Sequence, residues 1–296
     1  MTHDAPTSPT LAFIGGGNMA TAILGGLVRS GMPGANLIVL DPNAEQRARL
    51  ERDFGVRTLA AADATLSEAD AVVWAVKPQS FRDAAAPCAP FVAGALHLSV
   101  MAGIRSDAIA QATGSDRVVR SMPNTPALIG QGISGLYARP AVSEAERAQV
   151  EAMLAPTGAV LWVAQESDLD AVTALSGSGP AYVFYFIESM MAAAERMGLS
   201  AEQGKQLALA TFGGATELAR RSDETPAVLR ERVTSKGGTT YAALTTLDAR
   251  EVKASFVEAM LAAQNRAREL GDEFGRWFRE LAAVAAAGHF FFGSQQ

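Results

Sequence analysis

Hydrophobic and polar positions change rhythm near the middle of the chain. In the first half, short unbroken apolar runs recur: "LAFI" (11–14), "LIVL" (37–40), "AVVWAV" (71–76), "LHLSV" (96–100) and "RVVR" (117–120). Between them lie stretches with helical spacing, such as "AEQRARLERDFG" (44–55), set off by turn residues. Apolar runs without alternation predict strands buried on both faces, and strands alternating with helices predict a doubly wound, mostly parallel sheet. Two later runs, "GISGLYA" (132–138) and "AVLWVA" (159–164), extend that sheet. The helix between them opens with Ser143 and carries Glu146 three residues on, a capping box in which each side chain satisfies the other residue's free N–H.

Past about residue 165 the strand-like runs stop. Helical spacing fills 180–197, 200–221, 225–234, 239–247 and 251–270, with alanine and other small residues that permit close helix approach. The pattern therefore divides the chain into an α/β domain, 1–164, with a flexible leader over 1–10, and an all-α domain, 165–296. Helices of this length are expected to leave apolar surface for a partner subunit to cover. The closing "AAVAAAGHFFFGSQQ", with Phe290–Phe292, reads either as a further interface helix or as a tail packed on its own domain.

Composition narrows the function classes. At 296 residues and 49% apolar content the chain can bury substantial cores, and its net charge of −6 argues against general nucleic-acid binding. The lone Cys88 excludes an intramolecular disulfide framework and any clustered-cysteine metal site. No apolar run reaches the roughly 18 residues of a membrane span, and "MTHDAPTSPT" lacks the regions of a signal peptide. A cytoplasmic protein without membrane partners is the expectation.

The chemistry begins at "FIGGGNMATAI" (13–23). Gly15 and Gly17 follow a strand directly, and Ala20 fills the third small position of the G-x-G-x-x-G/A fingerprint. In this Rossmann-type turn one glycine makes the bend, the next admits a pyrophosphate, and the third small residue lets the helix pack on the sheet. Gly15, Gly16, Gly17, Asn18 and Met19 are thus candidate dinucleotide contacts. Asp41, at the end of the next strand, has two readings. It accepts ribose hydroxyls, favouring NADH, with Arg47 or Arg49 offsetting its repulsion of NADPH; or it shapes the turn with Pro42.

Four further segments, "AVKPQ" (75–79), "RSMPNTPALIGQG" (120–132), "LSGSGPAYVF" (175–184) and "VTSKGGTTYAAL" (233–244), follow in order. Together with "IGGGNMA", over residues 11–272, they resemble the Δ1-pyrroline-5-carboxylate reductase family, which closes proline synthesis. The resemblance implies a Rossmann domain followed by a helical dimerisation domain, a homodimer or higher homo-oligomer, and NADPH or NADH as cofactor. It carries cofactor contact to Ala75, Val76, Lys77 and Pro78, and to Met101, Ala102 and Gly103. Asn124 of "MPNTP" either offers its amide near the nicotinamide or serves the loop alone. The glycines of "SGSGP" break a helix before Pro180, admit a close backbone approach, or do both. Two departures stand out: the family more often has proline where Lys236 stands, and it usually ends near "RARELG", whereas this chain continues.

The substrate implied, 1-pyrroline-5-carboxylate, carries a carboxylate and a cyclic imine. "SKGGTT" opens a helix, whose free N–H groups and dipole favour an anion. Gly237 and Gly238 let the carboxylate come close, and Ser235 and Thr239 can donate to it. By resemblance Thr240 is the catalytic residue, its hydroxyl meeting the ring nitrogen. Asp223 or Glu224, in the turn before "PAVLRERV", either contacts the substrate amine or is solvated. Of the three histidines, His3, His97 and His289, none is placed as a general acid, and no metal-ligand spacing exists. Two other readings remain at this level. One is a related Rossmann reductase acting on another imine or keto acid; the other is a non-catalytic NADP(H)-sensing regulator.

Overall fold

The computed structural model describes the backbone of residues 9–289 and the side chains of residues 9–275. Most of the leader and all of Phe290–Phe292 lie outside the described residues. Eight strands form one sheet: β1 (Leu11–Ile14), β2 (Leu37–Leu40), β3 (Arg57–Leu59), β4 (Ala71–Trp74), β5 (Leu96–Ser99), β6 (Val118–Met122), β7 (Gly132–Ala138) and β8 (Gly158–Trp162). Their order is β3-β2-β1-β4-β5-β6-β7-β8, parallel throughout except where β7 runs antiparallel to β6. The order reverses between β2-β1 and β4-β5, the switch point beside which such sheets bind ligands.

Burial explains the unbroken apolar runs. Leu11 and Phe13 face one core, shared with Ile23, Leu24 and Leu50 of the flanking helices. Ala12 and Ile14 face the other, shared with Trp74, Phe81 and Ile109. Every residue of β1 is buried, so polar alternation has no face to occupy. Between the strands run α1 (Asn18–Arg29), α2 (Ala44–Phe54), α3 (Phe81–Val92), α4 (Ser106–Thr113) and α5 (Glu144–Leu154). Ser143 and Glu146 form the capping box expected at α5, and Asn43 caps α2 by accepting from Glu45 and Gln46 N–H groups.

After β8 come α6 (Asp168–Val172) and a π-helical turn, Thr173–Gly177. Then follow α7 (Gly179–Arg196), α8 (Ala201–Arg221), α9 (Pro226–Arg232), α10 (Thr239–Ala249) and α11 (Val252–His289). Contacts divide the chain into two compact units, one through Gly177 and again from Ala263, the other Ser178–Ala262. The last strand ends at Trp162, close to residue 164 where the sequence pattern changes; the contact boundary falls later because α6 and the π-turn pack with the sheet. α11 continues past Leu270, the end expected from its apolar spacing, to His289. Among the described residues no helix is long and apolar enough to cross a membrane.

Candidate active site

Gly15 leaves β1 with φ +95°, a left-handed backbone that penalises a side chain. A Cβ there would also lie 2.8 Å from the Ala75 carbonyl oxygen and 3.0 Å from Val76 Cγ1. The turn after β1 and the "AV" that follows β4 are therefore in contact. Gly16 N–H donates to Asp41 Oδ2 at 2.8 Å, and Asn43 N–H donates to Asp41 Oδ1 at 2.8 Å. Each carboxylate oxygen thus already holds backbone, which makes Asp41 a brace of this turn and leaves each oxygen one further lone pair. Gly17 is the N-cap of α1 with no side-chain cap, and a Cβ there would meet nothing within 4 Å. Open space in front of free helical N–H groups is what a pyrophosphate requires, so these residues fit a nicotinamide dinucleotide.

The other sequence-predicted cofactor residues occupy carboxyl ends of neighbouring strands. Asn18 and Met19 begin α1, and Lys77 and Pro78 open the 3-10 turn after β4, with Lys77 exposed. Met101, Ala102 and Gly103 follow β5, with Met101 buried. Asn124 follows β6; its Oδ1 accepts from Ile133 N–H at 3.0 Å, so the carbonyl serves the loop while the amide NH₂ stays available. Gly177, at the end of the π-turn, sits so near Met122 that a Cβ would lie 2.6 Å from the Met122 methyl carbon. That close approach joins two of the quoted segments, and π-turns of this kind concentrate at functional sites.

The second glycine turn lies in the helical unit, after α9. Gly237 has φ +76°, and a Cβ on Gly238 would fall 2.7 Å from Ser235 Oγ. Gly238 N–H donates to the Ser235 carbonyl at 3.0 Å, which folds the turn onto the start of α10. Gly238 is the N-cap of α10 and supplies no side-chain cap, so the N–H groups of the first turn remain free beside the hydroxyls of Ser235, Thr239 and Thr240. Three hydroxyls and a helix N-terminus with its partial positive charge suit a small carboxylate. Asp223 sits exposed between α8 and α9; no hydrogen bond or ion pair ties it to this turn.

Residues 166–270 match the family described as pyrroline-5-carboxylate reductase dimerisation, and residues 10–103 match one described as coenzyme F420-dependent NADP oxidoreductase. A pyrroline-5-carboxylate reductase of Pseudomonas aeruginosa is 42% identical over 272 residues, 91% of this chain and 100% of that protein. The chain belongs to the pyrroline-5-carboxylate reductase family. Among solved structures, the family member from Coxiella burnetii superposes with a TM-score of 0.84 at 34% identity, covering 88% of this chain and 98% of that one. The Plasmodium falciparum member, solved with NADP bound, gives a TM-score of 0.80 at 28% identity, covering 89% and 98%. The family thus accounts for both halves of the fold, the doubly wound sheet and the helical C-terminal region.

Several residues of the site region were not singled out from the sequence. Gln46 Nε2 donates to the Gly16 carbonyl, and Arg47, which the sequence offered only as an offset to the Asp41 charge, donates from Nη1 to the Asp41 carbonyl at 2.7 Å, so α2 clamps the turn. Beneath the "MPNTP" loop, Arg120 of β6 is buried and donates to Glu166 Oε1 at 2.9 Å. Glu166 also accepts from Ser106 N–H at 2.7 Å and from Ser106 Oγ at 2.6 Å, capping α4. Burial pushes the Glu166 carboxyl up, but the Arg120 charge and the Ser106 hydrogen bonds outweigh it and hold it below the usual carboxylate range. Arg105 forms a forked pair with Asp170, its nearer contact 3.1 Å. A charged residue inside an otherwise apolar strand was the only signal for this network, and it names no partner.

Proposed function

We propose that the chain reduces the cyclic imine of 1-pyrroline-5-carboxylate to L-proline with NADPH or NADH, the last step of proline synthesis. The observation that carries this is a relative of that name aligned over its whole length at 42% identity. The bound dinucleotide supplies hydride from C4 of its reduced nicotinamide. Hydride adds to the imine carbon, and the C=N pair becomes the nitrogen lone pair of a secondary amine. An imine is basic enough to arrive protonated, so the chain supplies no strong acid. Its residues bind and orient. Ser235 Oγ and the Gly238–Thr239 backbone hold the carboxylate, and the Thr240 hydroxyl holds the ring nitrogen. Two anchors fix the five-membered ring and present one face to the hydride. Gly15–Met19 and Asp41 hold the dinucleotide, with Ala75–Pro78, Met101–Gly103 and the Asn124 amide lining it.

The free N–H groups, the hydroxyls and the glycine backbone of the 235–240 turn support these roles. Thr240→Ala removes a hydroxyl without adding bulk, so dinucleotide affinity is expected to stay the same. Losing a contact tightened in the transition state costs on the order of 1–3 kcal/mol, roughly ten- to a hundredfold in kcat/KM. Thr240→Ser restores the hydroxyl and recovers much of that loss. Ser235→Ala raises the substrate KM instead, because a carboxylate contact is equal in ground and transition states. A Thr240→Ala enzyme with parental steady-state kinetics would remove Thr240 from the site.

A further inference from the structure

From Ala263 onward α11 belongs to the unit that contains the sheet, and its buried face reads Ala267, Gly271, then half-buried Phe274, the spacing of one helical stripe. That stripe meets the segment that follows β5. Gly103 has φ +76°, and a Cβ on it would lie 2.9 Å from Phe274 Cδ2 and 3.1 Å from Cε2. The ring therefore rests directly on the loop backbone, and Phe274 packs with the core that contains Met101 and Ile104. One turn earlier, a Cβ on Gly271 would lie 2.6 Å from Arg105 Nη2 and 2.8 Å from Arg105 Nε. The Arg105 guanidinium thus lies against the α11 backbone at Gly271, while its fork stays on Asp170.

Met101 and Ile104 anchor the two ends of the Met101–Gly103 loop in that core, and Gly103 between them carries no side chain of its own. Among the described residues, a side-chain hydrogen bond at the loop runs from Met101 N–H to Ser99 Oγ, at 3.3 Å. A loop with few hydrogen bonds takes its conformation from packing, and here the packing is a ring on one side and a pinned guanidinium two residues on. We infer that Phe274 is a positioning residue for the dinucleotide, with α11 bracing the Met101–Gly103 loop through the ring at Gly103 and the Arg105–Gly271 contact. This rests on the reading that the loop lines the cofactor. Phe274 lies just beyond the 166–270 family match.

The test compares wild type with Phe274→Ala, Phe274→Leu and Gly103→Ala, using NADP⁺ as probe. Calorimetric Kd for NADP⁺ is expected to rise about tenfold in Phe274→Ala, as misplacement of a binding segment does. Hydrogen exchange of amides 100–106 is expected to quicken in the same variant, without NADP⁺ present. The KM for NADPH should follow the Kd, while the KM for 1-pyrroline-5-carboxylate and kcat at saturating NADPH stay within about twofold. Phe274→Leu refills most of the volume and should recover most of the affinity. Gly103→Ala pushes on the ring from the loop side and should likewise weaken NADP⁺ binding with Phe274 still in the sequence. If wild type fails to bind NADP⁺, the dinucleotide reading falls and the brace with it. If wild type binds and Phe274→Ala binds equally well, or loses affinity without faster exchange at 100–106, the brace alone is overturned.

Discussion

His97 shows how far a single side chain reaches. It lies fully buried in β5, where Trp74 Nε1–H donates to its Nδ1 at 3.1 Å. That bond places the imidazole proton on Nε2 and keeps the ring neutral. Burial pushes its pKa down to about 4, helped by the nearby Arg117 charge. In the unfolded chain the ring titrates near 6.5, so between pH 6.5 and 4 the unfolded state binds the extra proton. The resulting stability is present above pH 6.5 and drains away as pH falls towards 4. We expect the urea-unfolding free energy to drop by about 2 kcal/mol from pH 7 to pH 5. Glu166, held below the usual carboxylate range, loses its contribution only at lower pH, so this window reports mainly His97. His97→Gln cannot titrate and should flatten the profile; an equally steep fall in that variant would contradict the assignment.

Elements were legible wherever burial writes a simple pattern. The runs at 11–14, 37–40, 71–76 and 96–100 became strands because both faces of a parallel sheet are covered, and Ser143–Glu146 announced its helix through the cap alone. β3 escaped notice because it is a half-buried edge strand, and "RTL" carries no apolar run. α3 includes Pro87 and Pro90, residues that disfavour a helix interior, so its local sequence carries little sign of it. The glycines of "SGSGP" do mark a break, but its form, a π-turn ahead of a helix opening at Gly179–Pro180, depends on contacts such as Met122 that no local pattern encodes. The two glycine turns were readable as turns, because a left-handed φ leaves little choice of residue at Gly15 and Gly237, and the approach to the Ala75 carbonyl adds to it at Gly15. The clamp of Gln46, the Arg120–Glu166 pair and the seat of Phe274 were not, since each joins residues distant in sequence through surfaces only the folded chain creates.

At the scale of the whole molecule, the helical unit cannot cover itself. Phe184, Tyr185, Leu207, Leu209 and Leu218 of α7 and α8 are all about half exposed or more, while few of the unit's residues are buried. Together with the dimerisation family match this supports a homodimer or higher homo-oligomer, and light scattering at micromolar concentration should find one; a stable, well-folded monomer would contradict it. The turn proposed for the dinucleotide belongs to the unit that carries the sheet, and the turn proposed for the carboxylate and imine belongs to the helical unit. The most direct measurement follows oxidation of NADPH, and separately of NADH, on addition of 1-pyrroline-5-carboxylate to the purified full chain, with the amino-acid product determined. The prediction is turnover with at least one of the two, yielding one L-proline for each dinucleotide oxidised. Binding of the dinucleotide without any 1-pyrroline-5-carboxylate-dependent oxidation would contradict it.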